Sequence, residues 1–128
     1  MDVEPYDRER HDSMVVEWLT RRGIGTEFME VVPTKGFIVA DVAAGFLFQT
    51  DSKMALIDGI VSNPESDADV RDKALDDVFK ALFVLARRLG FAVLWGFTPL
   101  PEVVARARQL GFTVDDERTY TFGVWRLF

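Results

Sequence analysis

The chain can do chemistry with carboxylates and cations and with little else. It holds no cysteine and one histidine, His11. That excludes a thiolate metal site and a cysteine nucleophile, and makes a His-rich zinc site and a conventional histidine-centred triad relay improbable; no metal is expected. The titratable residues crowd one stretch. From Pro64 to Lys80, six acids (Glu65, Asp67, Asp69, Asp72, Asp76, Asp77) stand against three bases (Arg71, Lys73, Lys80). Arg71 and Lys73 are spaced to pair with acids three or four residues away on a helix. The acids suit a solvated helix start, where the dipole favours negative charge. His11 sits among charged residues and reads as a surface side chain.

These residues need a scaffold, and the pattern supplies one. Residues 7–22 predict a helix, with Met14, Val15, Trp18 and Leu19 at helical spacing and Gly23 as its stop. Residues 25–30 predict a short second helix capped by Thr26 and ended by Pro33. Residues 36–40 and 44–49 read as a hairpin, and 54–61 as a strand apolar on both faces, covered on both sides. A polar loop then leads to the strongest helix, 69–89, whose stripe of Val70, Ala74, Val78, Leu82, Leu85 and Leu89 is widened by Phe79, Phe83 and Ala86. Residues 91–97 predict an apolar strand, 101–110 a helix, and 119–128 a final strand. Trp18 and Phe79 are expected in the core; Trp95 and Phe97 suit either the core, the usual place for aromatics of a central strand, or the lining of an acceptor cleft.

This order resembles the GNAT superfamily of acyl-CoA-dependent N-acyltransferases. Ile57-Asp58-Gly59-Ile60-Val61-Ser62-Asn63-Pro64 is similar to that family's fourth strand and proline-bearing loop, and Gln109-Leu110-Gly111-Phe112 is similar to its Leu-Gly-Phe after the last helix. Gly45 stands where the family often has a glycine in its third strand. The resemblance implies an α/β (α+β) fold, a mixed, mostly antiparallel central sheet flanked by helices on both faces, in a single domain, 1–128.

It also implies a site. Backbone groups of Ile60, Val61 and Ser62 would pair with a pantetheine arm, and the diphosphate would sit on the loop and the first turn of the long helix. The family pattern of Gln or Arg, two residues, Gly, one residue, Gly or Ala reads here from Arg71 through Lys73 and Ala74 to Asp76. Arg71 fits. Ala74 and Asp76 replace the glycines, and the stretch meant for a polyanion is net negative. Asp58 falls on the position of the family's base, and it also suits a carboxylate that hydrogen-bonds open backbone where two strands diverge. The family's tyrosine acid falls at Ala107 and its helix-opening asparagine at Leu100. Glu27 and Glu30 fall in the acceptor-binding region and suit an amine.

The expected function is therefore that of a GNAT-fold protein with an eroded acyl-CoA diphosphate loop, a non-catalytic binding or assembly protein like the compact degenerate domains among phage and other accessory proteins. The alternative is an acetyl-CoA-dependent N-acetyltransferase acting on an amine. No cofactor is expected in the first case and acetyl-CoA in the second; the partner is a protein or a small amine.

Bulk properties narrow the classes. At 128 residues the chain builds one core without staples. A net charge of -6 makes nucleic acid a poor partner. No apolar run reaches membrane-helix length, and the N-terminus lacks a signal-peptide core, so a cytoplasmic protein is expected.

Overall fold

The computed structural model describes residues 2–98, 100–115, 117 and 127. Contacts divide the chain into two compact units, Met1–Gly96 and Phe97–Phe128. The first holds β1 (Val3–Pro5), α1 (Arg8–Arg21), a 3-10 turn (Glu27–Glu30), β2 (Gly36–Val39), β3 (Ala43–Phe48), β4 (Met54–Ser62), α2 (Ala68–Arg88) and β5 (Val93–Trp95). The second holds α3 (Pro101–Gln109), closed at Gly111 with φ +94°.

The strands form one sheet in the order β1-β2-β3-β4-β5. Neighbours are antiparallel as far as β4, and β4 pairs β5 in parallel through the α2 crossover. The predicted hairpin and the predicted mixed sheet are both present. β1 was not predicted. It forms by register with β2, extended by a bond from the Tyr6 N–H to the Gly36 carbonyl at 2.9 Å.

Period-2 alternation on β3 sets the layers. A β-carbon on Gly45 would stand 2.9 Å from Val78 Cγ1 of α2. Its neighbour Phe46 points the other way, into a cluster with Tyr6, Val15, Trp18, Leu19 and Met29. So α2 covers one face of the sheet, and α1 with the 3-10 turn covers the other. The helix stripe read in sequence is buried through Ala74, Val78, Phe79, Leu82 and Ala86, while Val70 and Leu89 are exposed at its ends.

Five expectations change. His11 is buried, not superficial: its Nδ1 accepts the Asp7 N–H at 2.9 Å, its Nε2 lies 3.3 Å from Glu4, and its ring meets Tyr6. The helical phase explains this, because His11 shares the inward face with Val15 and Trp18. Thr26 makes no side-chain cap. β5 is shorter than predicted, and Trp95 is half-exposed rather than core. Phe97, whose usual place would also be the core, is exposed. The predicted final strand lies outside the described residues, Leu127 apart, and Leu127 is not in a strand.

Candidate functional site

The site is built where β4 outruns its neighbour. The β4–β5 ladder holds Met54–Val93, Ala55–Leu94 and Leu56–Trp95, while β4 continues to Ser62. Beyond Leu56 the edge of β4 that faces away from β3 is released from that pairing.

The released segment is also bulged. On the β3 side the ladder steps from Phe46–Asp58 to Ala44–Val61, so Gly45 alone faces Gly59 and Ile60. Gly59 takes φ +66°, a conformation that favours glycine. The Asn63 N–H donates to Val42 at 2.8 Å, which fixes the phase of the ladder. Val61 therefore turns its backbone toward β3, while Ile60 and Ser62 turn theirs to the edge that the described β5 does not pair. Of the three strand residues named from sequence, Ile60 and Ser62 turn their backbone groups away from β3 and Val61 turns its own toward it.

Asp58 stands at the lip of the bulge. It is exposed, and its Oδ1 accepts the N–H of Gly59 at 2.8 Å. The carboxylate thus fastens the bulge and remains open to solvent. Phe28 lies over the same spot, 3.2 Å from where a β-carbon on Gly59 would be. The 3-10 turn that carries Phe28 is held by its buried Met29 and by a bond from Arg8 to the Met29 carbonyl. Arg8 also pairs with Asp12 at 3.0 Å, and Asp12 accepts the Tyr6 hydroxyl at 2.7 Å. Burial first, and the Asp12 carboxylate second, hold the Tyr6 phenol far above its ordinary range. The turn's exposed Glu27 and Glu30 add negative charge to this side of the sheet.

The loop from β4 to α2 ends on a helix start that no side chain caps: Asp67, the N-cap, makes no such bond. The first intrahelical bond runs from the Arg71 N–H to the Asp67 carbonyl at 2.9 Å, so the N–H groups before it point out of the helix end without an intrahelical acceptor. The cations named from sequence are engaged nearby. Arg71 Nη1 donates to the carbonyls of Pro64 (3.2 Å) and Ser66 (2.7 Å), folding the loop around its own guanidinium. Lys73 Nζ donates to Asp77 at 2.8 Å, and that bond raises the Lys73 ammonium above its ordinary range. Ala74 is fully buried and packs inward. Asp76 is half-buried and Asp72 exposed, with further partners of their own.

Sequence reasoning missed the α1 arginines. Arg22 donates from Nε to the Ser62 carbonyl (3.0 Å) and from Nη2 to Ser62 Oγ (2.9 Å), and Arg21 pairs with Glu65. The only signal was two consecutive arginines at a helix end, which dipole matching explains equally well. Ala107 and Leu100 lie in the second unit, on and just before α3. Elsewhere, a groove of about 360 Å³ between α2 and the β1–β2 edge is lined by Val3, Phe37 and Val84 with Lys80 and Arg88, and among the described residues no carboxylate lines it. Among the described residues no helix is long and apolar enough to cross a membrane, and no three metal-ligating side chains converge.

The sequence matches no protein-family model and no curated relative. Solved structures do match. A probable acetyltransferase superposes with TM-score 0.71 at 17% identity, covering 98% of this chain and 99% of that one. An aminoglycoside acetyltransferase from an uncultured soil metagenomic sample, in complex with trehalose, gives 0.70 at 9% identity over 98% and 96%. A GNAT-family acetyltransferase from Streptococcus pneumoniae TIGR4 gives 0.65 at 13% identity over 98% and 95%. Likeness at such low identity is a statement about architecture, and by that measure the chain carries the GNAT acetyltransferase fold.

Proposed function

We propose that this protein is an acyl-CoA-dependent N-acyltransferase whose acceptor is an amine. One observation carries the reading: β4 leaves β5 after Leu56, bulges at Gly59, and turns the backbone of Ile60 and Ser62 away from β3, with the Ser62 carbonyl held only by an exposed bond among the described residues, toward a helix start whose N-cap makes no side-chain cap. These groups suit acyl-CoA. The strand edge offers hydrogen bonds to a pantetheine arm, and the α2 N-terminus offers N–H groups to a diphosphate. When bound, acyl-CoA supplies the acyl group as a thioester.

The chain's own residues do the rest. Asp58, exposed at the bulge, would take the proton that the amine loses as its nitrogen bonds to the acyl carbon, while the thioester C–S bond breaks and coenzyme A leaves as a thiolate that solvent protonates. Its hydrogen bond to the Gly59 N–H orients it and leaves one oxygen for that task. Glu27 and Glu30 favour a cationic acceptor on the same side of the sheet. Thermal unfolding with acetyl-CoA tests the reading. A ligand at a hundred times its dissociation constant adds about 2.7 kcal/mol of stability. No shift at saturating acetyl-CoA would end it.

A second reading keeps the scaffold without the chemistry: a non-catalytic binding or assembly protein with an eroded diphosphate loop, acting on a protein partner. What favours it is the engagement of Lys73 by Asp77 and of Arg71 by the loop carbonyls. Both cations would have to leave existing partners to meet a phosphate. The same titration separates the two readings.

A further inference from the structure

We infer that Arg22, the C-cap residue of α1, is a diphosphate-binding residue supplied to the acyl-CoA site from outside the loop that precedes α2. The inference rests on the acyl-CoA reading above. Its ground is the junction at Ser62, where Arg22 bonds both the carbonyl and the hydroxyl of that one residue. Ser62 is the last residue of β4, and its backbone faces the edge that the described β5 does not pair. An arm lying along that edge from Ile60 toward the α2 N-terminus meets the guanidinium where strand gives way to loop. That is where an uncharged pantetheine hands over to its phosphates.

Charge points the same way. Glu65, Asp67, Asp69 and Asp72 all follow the junction within ten residues, and Arg71 and Lys73 are held by the loop and by Asp77. The last turn of α1 counters this from across the fold. Arg21 pairs with Glu65, occupying a loop carboxylate, and Arg22 brings its guanidinium to the strand end. Both Arg22 bonds to Ser62 are solvent-exposed, so water already competes for the groups that a phosphate would meet. The planar fork of donors matches a phosphate's oxygens, and charge-assisted bonds are the stronger kind. Once released, the Ser62 carbonyl is open to an amide N–H of the arm.

Two ligands separate this role from a merely structural one: acetyl-CoA, and S-acetylpantetheine, which has the arm and no phosphate. Binding of each is measured by chemical-shift titration on the wild type, Arg22→Ala and Arg22→Lys. The expected result is a loss of roughly tenfold or more in acetyl-CoA affinity for Arg22→Ala, the worth of a hydrogen bond to a charged group. S-acetylpantetheine affinity stays unchanged, and Arg22→Lys recovers part of the loss. Equal acetyl-CoA affinity in wild type and Arg22→Ala would overturn the inference and leave the acyl-CoA reading standing. Equal loss for both ligands would also overturn it, since Arg22 would then only be tying down the end of β4. A wild type that binds neither ligand would sink the acyl-CoA reading and this inference with it.

Discussion

Gly59 of β4 rests against the ring of Phe46 on β3: a β-carbon there would stand 2.8 Å from Phe46 Cδ2. Phe46 is fully buried, so the ring has nowhere to go. Gly59→Ala therefore meets a clash and a positive φ together, and is expected to cost about 1–3 kcal/mol. Urea denaturation measures it. Because the same residue makes the bulge, acetyl-CoA binding should fall as well; full stability with full binding would show that the bulge needs no glycine.

Asp58 is exposed, so Asp58→Asn should leave the melting temperature nearly unchanged. If the carboxylate removes the amine proton, turnover with acetyl-CoA and an amine drops by roughly 10²-fold or more while acetyl-CoA affinity holds. Steady-state kinetics beside a binding titration check it. Unchanged turnover would leave Asp58 with only its bond to the Gly59 N–H.

The acids near the α2 start oppose an anion. Asp72→Asn with Asp76→Asn should tighten acetyl-CoA several-fold at low salt, and the gain should shrink as salt is added. Calorimetry at two ionic strengths reads both effects. A gain that ignores salt would point to packing instead of charge.

Tyr6 gives a pH signature. Its phenol is held protonated in the folded state by burial and by Asp12, while in the unfolded chain it ionises near its ordinary value of about 10. The folded state thus binds the proton more tightly. The stability this contributes is fully present below about pH 10 and is lost as pH rises above it. Urea midpoints should fall above pH 10, and the fall should be shallower in Tyr6→Phe. An identical slope in the two proteins would mean that Tyr6 is not the group responsible.

α2 was legible from its long helical stripe, and the hairpin and β4 from short apolar runs bounded by turn residues. The N-terminal strand was not: Val3-Glu4-Pro5 is too short to show a period, and its partner lies more than thirty residues away. His11 was legible and misread. Its charged neighbours suggested surface, yet it sits four residues before Val15 and seven before Trp18, on the buried stripe. In the site, the Lys73–Asp77 pair follows from i,i+4 spacing. The Arg22–Ser62 bond spans forty positions and comes only from packing α1 on the sheet.

β3 has a consequence for experiment. Ala43 through Leu47 are all buried, with a bonded strand on either side. Their amides can trade hydrogen for deuterium only when the whole first unit opens. A compound that binds the native state alone will slow that trade by the factor with which it shifts the folding equilibrium. The deuterium clock of this one strand can thus screen candidate ligands before any reaction is known.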